Sequence, residues 1–414
     1  MKSFEIPSYF RSDLVSKVKL ARKVADPRKR DFTPSMLDFG KVNVLLARHF
    51  GFCYGVENAI EISYRAISEN PGKRIFLLSQ MIHNQAVNED LESLGIRFLM
   101  DTYGNELIPL AEVTSDDVVI TPAFGTTIEM EAELTKRGIQ LEKYNTTCPF
   151  VEKVWNRSTK LGNDDYTVVI HGKPKHEETR ATFSHAKQNA KSFVVTDMQE
   201  TELLCAFIEG HKPWSAFFEV FDQSRGSVGF DPEKDLQRVG VVNQTTMLAS
   251  DTQAIADRVK LAVQRKYGEE QIKNHFADTR DTLCYATNEN QQATLELLKN
   301  KADLAIVIGG ANSSNTSHLV ELCEEKVKTF FIQSEEDLIS ESEIRYFDLH
   351  EQRQKFESNY LPEVEHPTII ITSGASCPDS LLERVMTKIL DYYQIEKNAE
   401  IAVDEMSAKL SRYE

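Results

Sequence analysis

The 414-residue sequence lacks the features that mark membrane-spanning and secreted proteins. No apolar run approaches the roughly 18 residues of a membrane span, and the opening residues MKSFEIPSYF contain no hydrophobic core of a secretory signal. We therefore expect a cytoplasmic protein. An organelle stroma is the alternative if residues 1–41 belong to a targeting segment, although Asp13, Asp26 and Asp31 are unusual for such a segment.

Closely spaced cysteines are also missing. The six cysteines, at positions 53, 148, 205, 284, 323 and 377, lie far apart and form no CxxC pair. This spacing disfavours a zinc ribbon and thioredoxin-like chemistry, and a reducing cytosol disfavours disulfides.

Positive charge is scarce over most of the chain. Lys and Arg number 48 against 64 Asp and Glu, and the net charge of −16 disfavours partners such as nucleic acids or anionic membranes. Residues 11–30 are the exception, with eight basic and two acidic residues and with Leu14, Val18, Ala21 and Ala25 spaced like one helix face. We interpret this segment as a solvated helix packed on the body of the protein; a docking patch for an acidic partner is the alternative.

Nucleotide and hydrolase motifs are absent as well. No GxxxxGK[ST] or GxGxxG follows a strand pattern, so a nucleotide is not implied. The segment GASCP falls short of the GxSxG turn that carries a nucleophilic serine, which weakens a hydrolase interpretation.

Short apolar runs separated by helix-length segments are present from Val42 onward. They are VNVLLA, RIFLLS, DVVITPA, YTVVIHG, SFVVTD, RVGVVNQ, LAIVIGG, KTFFIQS and TIIITSG. This alternation predicts an α/β protein with buried parallel strands. Residues 210–237 and 350–366 break the pattern and are interpreted as long surface insertions.

Three of the cysteines lie where a helix pattern begins. Cys53 lies in HFGFCYGV, Cys148 in TTCP and Cys284 in TLCYAT, whereas Cys205 and Cys323 fall inside amphipathic helix patterns and are interpreted as packing residues. Three thiolates without a fourth suit a [4Fe–4S] cluster with one iron open to an external ligand, which can act as a Lewis acid.

Polar residues follow other predicted strands. Ser313, Ser314 and Asn315 precede a helix pattern, and Ser376 occupies a comparable place. Hydroxyls, an amide and helix N–H groups at the carboxyl end of a strand form an anion site, although plain helix capping explains each segment equally well.

Histidine and carboxylate residues form a third group. They are His83 in QMIHNQAV, His176 and Glu178 in HGKPKHEET, and Thr245 in NQTT. Imidazoles can donate to phosphoryl oxygens, and Glu178 and Thr245 can move a proton. The alternative for Thr245 is a helix cap.

These motifs, taken in order, resemble those of the 4-hydroxy-3-methylbut-2-enyl diphosphate reductases of the non-mevalonate isoprenoid pathway. They are GFCYGV, HN, TTCP, HEET, NQTT, CYAT, NSSN and SGAS, within about residues 42–392. PAFG, HEET and the 41-residue extension are similar to the plastid and cyanobacterial branch.

The resemblance implies three similar α/β units in pseudo-threefold arrangement around an iron–sulfur cluster. We assign residues 1–41 to an extension, 42–148, 149–281 and 282–395 to the three units, and 396–414 to a tail, with strand 42–48 pairing with the third unit as an option.

The resemblance also implies roles for individual residues. The cluster ligands are Cys53, Cys148 and Cys284; the diphosphate contacts are His83, His176, Thr245, Ser313, Ser314, Asn315 and Ser376; the proton relay is Glu178, Thr245 and His176. Phe124 departs from the pattern, since many members have a histidine there that contacts the diphosphate.

The implied reaction is a reductive dehydration. An allylic alcohol diphosphate loses its hydroxyl as water and yields isopentenyl and dimethylallyl diphosphates, with two electrons from a donor such as ferredoxin or flavodoxin. The cofactor is a [4Fe–4S] cluster that converts to [3Fe–4S] on oxidation. The alternatives are a cluster-dependent hydro-lyase, which needs no reductant, and an iron–sulfur sensor, which needs no tuned Glu178.

Overall fold

A computed structural model of the chain describes residues 4–279 and 282–410. In these residues helices and strands alternate. The helices are α1 (Asp13–Ala25), α2 (Tyr54–Glu69), α3 (Gln85–Ser93), α4 (Ile128–Lys136), α5 (Pro149–Asn163), α6 (Glu177–Ala186), α7 (Met198–Ile208), α8 (Phe217–Val220), α9 (Pro232–Asp235), α10 (Ala249–Tyr267), α11 (Ile272–His275), α12 (Tyr285–Leu297), α13 (Ser314–Glu324), α14 (Asp379–Tyr392) and α15 (Ala399–Leu410).

The strands are mostly short and buried. They are β1 (Ser35–Asp38), β2 (Asn43–Leu46), β3 (Ile75–Leu77), β4 (Ile96–Phe98), β5 (Val118–Ile120), β6 (Thr167–His171), β7 (Ser192–Val195), β8 (Val239–Asn243), β9 (Phe276–Ala277), β10 (Leu304–Ile308), β11 (Thr329–Ile332), β12 (Glu343–Asp348), β13 (Arg353–Ser358) and β14 (Thr368–Ser373). Each of the nine apolar runs contains a strand, so the predicted α/β class with mainly parallel sheets is confirmed.

The chain forms two compact units. The first comprises Met1–Glu57, His83–Glu89 and Tyr285–Glu414. Its main sheet has the order β1-β2-β14-β10-β11, in which only β1 is antiparallel to its neighbour. The strands β2, β14 and β10 therefore end at the same edge of this sheet.

The extension packs on this first unit through α1. Leu14 and Val18 are buried in the hydrophobic core, and Ala21 packs against it, so the predicted apolar helix face is confirmed. At the opposite end of the chain, α15 packs against α1, and Lys17 pairs with Glu400 at 2.6 Å.

The second unit comprises Asn58–Ile82 and Asp90–Cys284 and contains two wholly parallel sheets. Their orders are β4-β3-β5 and β7-β6-β8-β9. Because all strands of a parallel sheet end at one edge, the segments after β6, β8 and β9 meet at the carboxyl edge of the second sheet.

The two predicted insertions contain more structure than expected. Residues 210–237 bury Phe217, Phe221 and Phe230 around Phe193 of β7, because the aromatic rings complete the core of that sheet. Residues 350–366 include β13, which pairs with β12 in an antiparallel hairpin. The polar composition of β13 explains why the sequence pattern did not indicate a strand there.

The domain boundaries stay a prediction. Strand β2 pairs with β14 of the predicted third unit, as the sequence assignment allowed. The structure divides into two compact units, whereas the sequence analysis assigned three. The boundary predicted at residue 281 lies outside the described residues, as do residues 1–3 and 411–414 at the two ends of the chain. Among the residues that are described, no helix is long and apolar enough to cross a membrane.

Candidate functional site

In the first unit, the predicted residues collect at the carboxyl edge of the main sheet. The turn that carries Cys53 follows β2, Ser313 to Asn315 follow β10, and Ser376 follows β14. The segment His83–Glu89 belongs to the same unit.

The turn before α2 holds Cys53 by backbone contacts. Its N–H donates to the carbonyl of Ala375 at 3.2 Å, and its carbonyl accepts the N–H of Glu57 at 3.0 Å. Gly51 has φ of +79°, and a Cβ there would lie 2.2 Å from Oδ1 of Asp379. Both the backbone conformation and the close approach of this carboxylate therefore require glycine two residues before the thiol.

Ser313 and Asn315 hold the start of α13 in place. Ser313 is the N-cap, and its Oγ accepts the N–H of Thr316 at 3.3 Å, as the capping alternative predicted. The Oδ1 of Asn315 accepts the N–H of Ala375 at 3.1 Å and so ties α13 to the loop after β14. Ser314 is buried beside them in the first turn of the helix.

His83 joins the same edge through its backbone. Its carbonyl accepts the hydroxyl of Ser376 at 3.2 Å. A Cβ at Gly310 would lie 2.4 Å from that carbonyl oxygen, so the loop after β10 packs directly on His83. The first unit thus brings together His83, three serines, Asn315 and the N-terminus of the eleven-residue α13, which is a set of hydrogen-bonding groups suited to an anion.

In the second unit, two thiols lie close enough to interact electrostatically. Cys148 is the N-cap of α5, and its N–H donates to the carbonyl of Ala123 at 3.0 Å. Cys284 directly precedes α12, and its N–H donates to the carbonyl of Thr245 at 3.2 Å. Burial, together with the negative charges of Cys284 and Glu178, raises the pKa of the Cys148 thiol to about 11.

Glu178 is a buried carboxyl group, and both of its oxygens accept hydrogen bonds from the same residue. The N–H of Thr245 donates to Oε1 at 2.5 Å and its hydroxyl to Oε2 at 2.9 Å. Burial raises the pKa of Glu178 to about 7, although the two hydrogen bonds from Thr245 act to lower it. Such a carboxyl can hold or release a proton near neutral pH.

His176 caps the helix that carries Glu178. Its Nδ1 accepts the N–H of Glu178 at 3.2 Å, so in the neutral imidazole the proton is on Nε2. The half-buried ring of Phe124 packs against His176 edge to face, with the ring centroids 5.7 Å apart and the planes at 85°.

Sequence reasoning missed the residues that fix the segment before Cys284. The Oδ1 of Asn243 accepts the N–H of Thr282 at 3.0 Å and its hydroxyl at 2.8 Å, and the N–H of Asn243 donates to Oγ1 of Thr282 at 2.9 Å. Gln244 similarly accepts the hydroxyl of Thr179 at 3.0 Å. No sequence signal separates an asparagine in this role from one that merely ends a strand.

The six cysteines divide by exposure. All six are thiols rather than disulfides, and Cys53, Cys148 and Cys284 are partly exposed. Cys205, Cys323 and Cys377 are fully buried, and burial raises the pKa of each of them to about 12.

Within residues 4–279 and 282–410, no three His, Cys, Asp or Glu side chains form a group that could hold a metal ion. The predicted set of three cluster ligands therefore stays a prediction.

Comparisons with known proteins bear on these residues. The model of the LytB protein family matches residues 44–390. A 4-hydroxy-3-methylbut-2-enyl diphosphate reductase from Prochlorococcus marinus (strain MIT 9313) is 40% identical over 357 residues, which cover 86% of this chain and 87% of the relative. The reductase of the same name from Gloeobacter violaceus is 38% identical, covering 85% and 83%.

Two solved structures share the fold. A structure of (E)-4-hydroxy-3-methyl-but-2-enyl diphosphate reductase, described as the terminal enzyme of the non-mevalonate pathway, has a TM-score of 0.51 and 24% identity, covering 84% of this chain and 99% of that one. The E-1-hydroxy-2-methyl-but-2-enyl-4-diphosphate reductase from Plasmodium falciparum has a TM-score of 0.61 and 21% identity, covering 84% and 88%.

Proposed function

The chain belongs to the LytB protein family, and we propose that it catalyses the reductive dehydration of (E)-4-hydroxy-3-methylbut-2-enyl diphosphate to isopentenyl and dimethylallyl diphosphates. The observation that carries the proposal is Glu178, a fully buried carboxyl with a pKa near 7 that lies within electrostatic reach of Cys148. An acid tuned to neutral pH beside soft metal ligands fits proton delivery at a metal centre.

The thiols suit an iron–sulfur cofactor by their chemistry. In the second unit, burial and then the negative charges of Cys284 and Glu178 raise the pKa of Cys148 to about 11, so a bound cation is needed to keep this thiol ionised near neutral pH. Cys53 contributes the third accessible thiol. We assign Cys53, Cys148 and Cys284 as ligands. When bound, a [4Fe–4S] cluster with one iron free of protein ligands supplies electrons and a Lewis acid to the substrate hydroxyl.

We assign the diphosphate to hydrogen-bond donors. His83, Ser313, Ser314, Asn315 and Ser376 lie at one edge of the first unit, where the first-turn N–H groups of α13 favour negative charge. From the second unit, His176 offers Nε2–H because its Nδ1 is already an acceptor, and Thr245 offers its hydroxyl.

Glu178 holds the proton that the leaving hydroxyl needs. With a pKa near 7, the carboxyl is about half protonated at neutral pH. When Oε2 is protonated it can donate to Oγ1 of Thr245 at 2.9 Å, which frees the Thr245 hydroxyl proton for onward transfer. The C–O bond of the substrate breaks, the hydroxyl leaves with this proton as water, and two electrons and a second proton complete the product.

Turnover with a synthetic reductant tests the proposal. Protein purified without oxygen is mixed with reduced methyl viologen, and dye oxidation is followed after addition of the allylic diphosphate. We expect substrate-dependent oxidation of two dye equivalents per substrate, with both five-carbon diphosphates as products. Conversion of the substrate without dye oxidation would instead identify a hydro-lyase, and binding without conversion would identify a sensor.

A further inference from the structure

The loop between β5 and α4 carries Phe124 and contacts two segments of the candidate site in the second unit. We refer to residues 121–127 as the Phe124 loop. The carbonyl of Ala123 accepts the N–H of Cys148 at 3.0 Å, and the ring of Phe124 packs on His176. A shift of this loop would therefore disturb both the start of α5 and the imidazole that we assign to the diphosphate.

Trp155 of α5 contacts the backbone of the Phe124 loop. Gly125 has φ of +76°, and a Cβ there would lie 2.5 Å from Cη2 of Trp155 and 3.3 Å from Cγ2 of Thr147. The indole therefore lies directly on the backbone of Gly125, in the space that a side chain would fill. Both the left-handed backbone and this close approach require glycine at position 125.

His185 of α6 stacks on the same indole. The ring centroids of Trp155 and His185 are 3.5 Å apart, and the planes differ by 9°. The indole Nε1–H donates to Oγ1 of Thr182, also on α6, at 3.2 Å. The helix that has His176 as its N-cap and carries Glu178 thus holds the indole by a stacking contact and by a hydrogen bond.

The imidazole of His185 also binds the end of the Phe124 loop. Its Nε2 lies 3.1 Å from the carbonyl oxygen of Thr126, which can only accept, so Nε2 carries the proton. Burial lowers the pKa of His185 below its ordinary value near 6.5, so the ring is neutral at pH 7. The Oγ of Ser184 accepts the N–H of Ile128 at 3.0 Å. The end of the loop is therefore fixed to α6.

We propose that Trp155 and His185 are positioning residues that clamp the Phe124 loop and thereby aim His176 at the diphosphate; we call this pair the clamp. The inference rests on the proposed function, in which Nε2–H of His176 binds the anion. The ring of Phe124 restrains the imidazole of His176 with the centroids 5.7 Å apart, and Nδ1 of the same imidazole accepts the N–H of Glu178 at 3.2 Å. An imidazole that is held by both contacts presents its remaining donor in one direction, and such preorganisation favours binding.

The clamp lies outside the hydrophobic core of the second unit. Val154 and Leu161 of α5 are buried in a cluster with residues of β6, whereas Trp155 and His185 are only partly buried. The packing of α5 on the sheet therefore depends on other side chains. We expect variants of the clamp to fold and to report a local change at the Phe124 loop.

Binding of inorganic diphosphate tests the clamp without turnover. The probe is titrated by calorimetry into anaerobically purified full-length protein, and the variant is Trp155→Leu. The matched control is Trp214→Leu, which removes the other tryptophan of the chain; Trp214 stacks on Phe207 in the same unit. We expect Kd to rise about fivefold in Trp155→Leu, which corresponds to the cost of ordering one side chain on binding, and less than about twofold in the control.

A double-mutant cycle tests whether the clamp acts through Phe124. Phe124→Leu alone should raise Kd, and Trp155→Leu should add less than about twofold in that background, because the ring through which the clamp acts is gone. An unchanged Kd in Trp155→Leu, full multiplication of the two effects, or an equal rise in the Trp214→Leu control would each overturn the clamp.

Turnover then separates this proposal from the proposed function. With reduced viologen, Trp155→Leu should raise KM by the same factor as Kd, while kcat stays within about twofold of the wild type, because Glu178 keeps both hydrogen bonds from Thr245. A loss of kcat with unchanged KM would place the effect on the proton relay and overturn the clamp. Absent viologen activity in the wild type would overturn the proposed function, and the calorimetry would still decide whether the clamp strengthens anion binding.

Discussion

The two compact units contribute different chemistry. Apart from Cys53, the first unit offers hydrogen-bonding groups on His83, three serines and Asn315, together with the N-terminus of α13. The second offers groups that titrate near or above neutral pH, namely Glu178 with a pKa of about 7 and Cys148 with one of about 11. Anchoring an anion needs fixed dipoles, whereas delivering a proton needs a tuned pKa. Substitution of these donors in the first unit should therefore affect mainly KM, whereas substitution of Glu178 in the second should affect mainly kcat.

The cysteines give the largest expected effect. Serine at Cys53, Cys148 or Cys284 replaces a soft thiolate by a hydroxyl, and we expect the purified variants to lose most of their iron and all turnover. Alanine at Cys205, Cys323 or Cys377 removes only a packing group, at a cost of about 1 kcal/mol in unfolding free energy. Iron and acid-labile sulfide analysis of all six variants measures this. Full iron content in any of the first three would remove that residue from the ligand set.

Glu178→Gln should reduce kcat more than any other substitution outside the cysteines. The amide keeps the size of the side chain but cannot donate the acidic proton, and general acid catalysis is worth about 10²- to 10⁴-fold. We expect this loss in kcat, measured with reduced viologen, while KM and iron content stay close to the wild type. A variant that loses iron would show that Glu178 supports the metal site instead.

The pH profile sharpens the assignment of the proton source. The pKa of Glu178 is raised from an ordinary value near 4.5 to about 7, so the folded protein keeps this proton across that interval while the unfolded chain releases it. Stability contributed by the protonated carboxyl is therefore lost as pH rises from 4.5 to 7. The rate follows the same proton, and kcat should decline above about pH 7 in the wild type. Glu178→Gln should show no such decline in its residual activity.

His83→Ala tests the first unit. A hydrogen bond to a charged group contributes roughly 1.5 to 3 kcal/mol, so loss of the imidazole should raise KM about tenfold or more at 1.4 kcal/mol per decade. The fold should tolerate the change, because the contact that ties His83 to Ser376 uses the backbone carbonyl. A kcat loss with unchanged KM would contradict the division between the units.

The sequence predicted nine of the fourteen described strands and the residues at their carboxyl ends, and it did so for physical reasons. A parallel strand buried on both faces is a continuous apolar run, and polar residues at its end or in the loop after it mark the sheet edge, as with Asn243 at the end of β8 and Ser313 in the loop after β10. It did not predict the hydrogen bonds between Asn243 and Thr282, and only the family resemblance, not the residue pattern, grouped Glu178 with Thr245. Those contacts join residues 39 and 67 positions apart, and local pattern carries no information on such pairing.

The smallest expected effect concerns Phe124, which stands where the family resemblance places a histidine that contacts the diphosphate. The ring is half-buried and meets His176 edge to face at 5.7 Å, so it contacts a residue assigned to the diphosphate. Phe124→Leu keeps an apolar side chain, and Phe124→His keeps a ring and adds a donor. We expect both variants to fold and Phe124→His to bind more tightly, with KM up to about tenfold below that of Phe124→Leu, since a partly exposed donor gives no more than the low end of 1.5 to 3 kcal/mol. Equal KM values would show that the side chain at position 124 serves packing alone. Its contribution to the site would then be to orient His176.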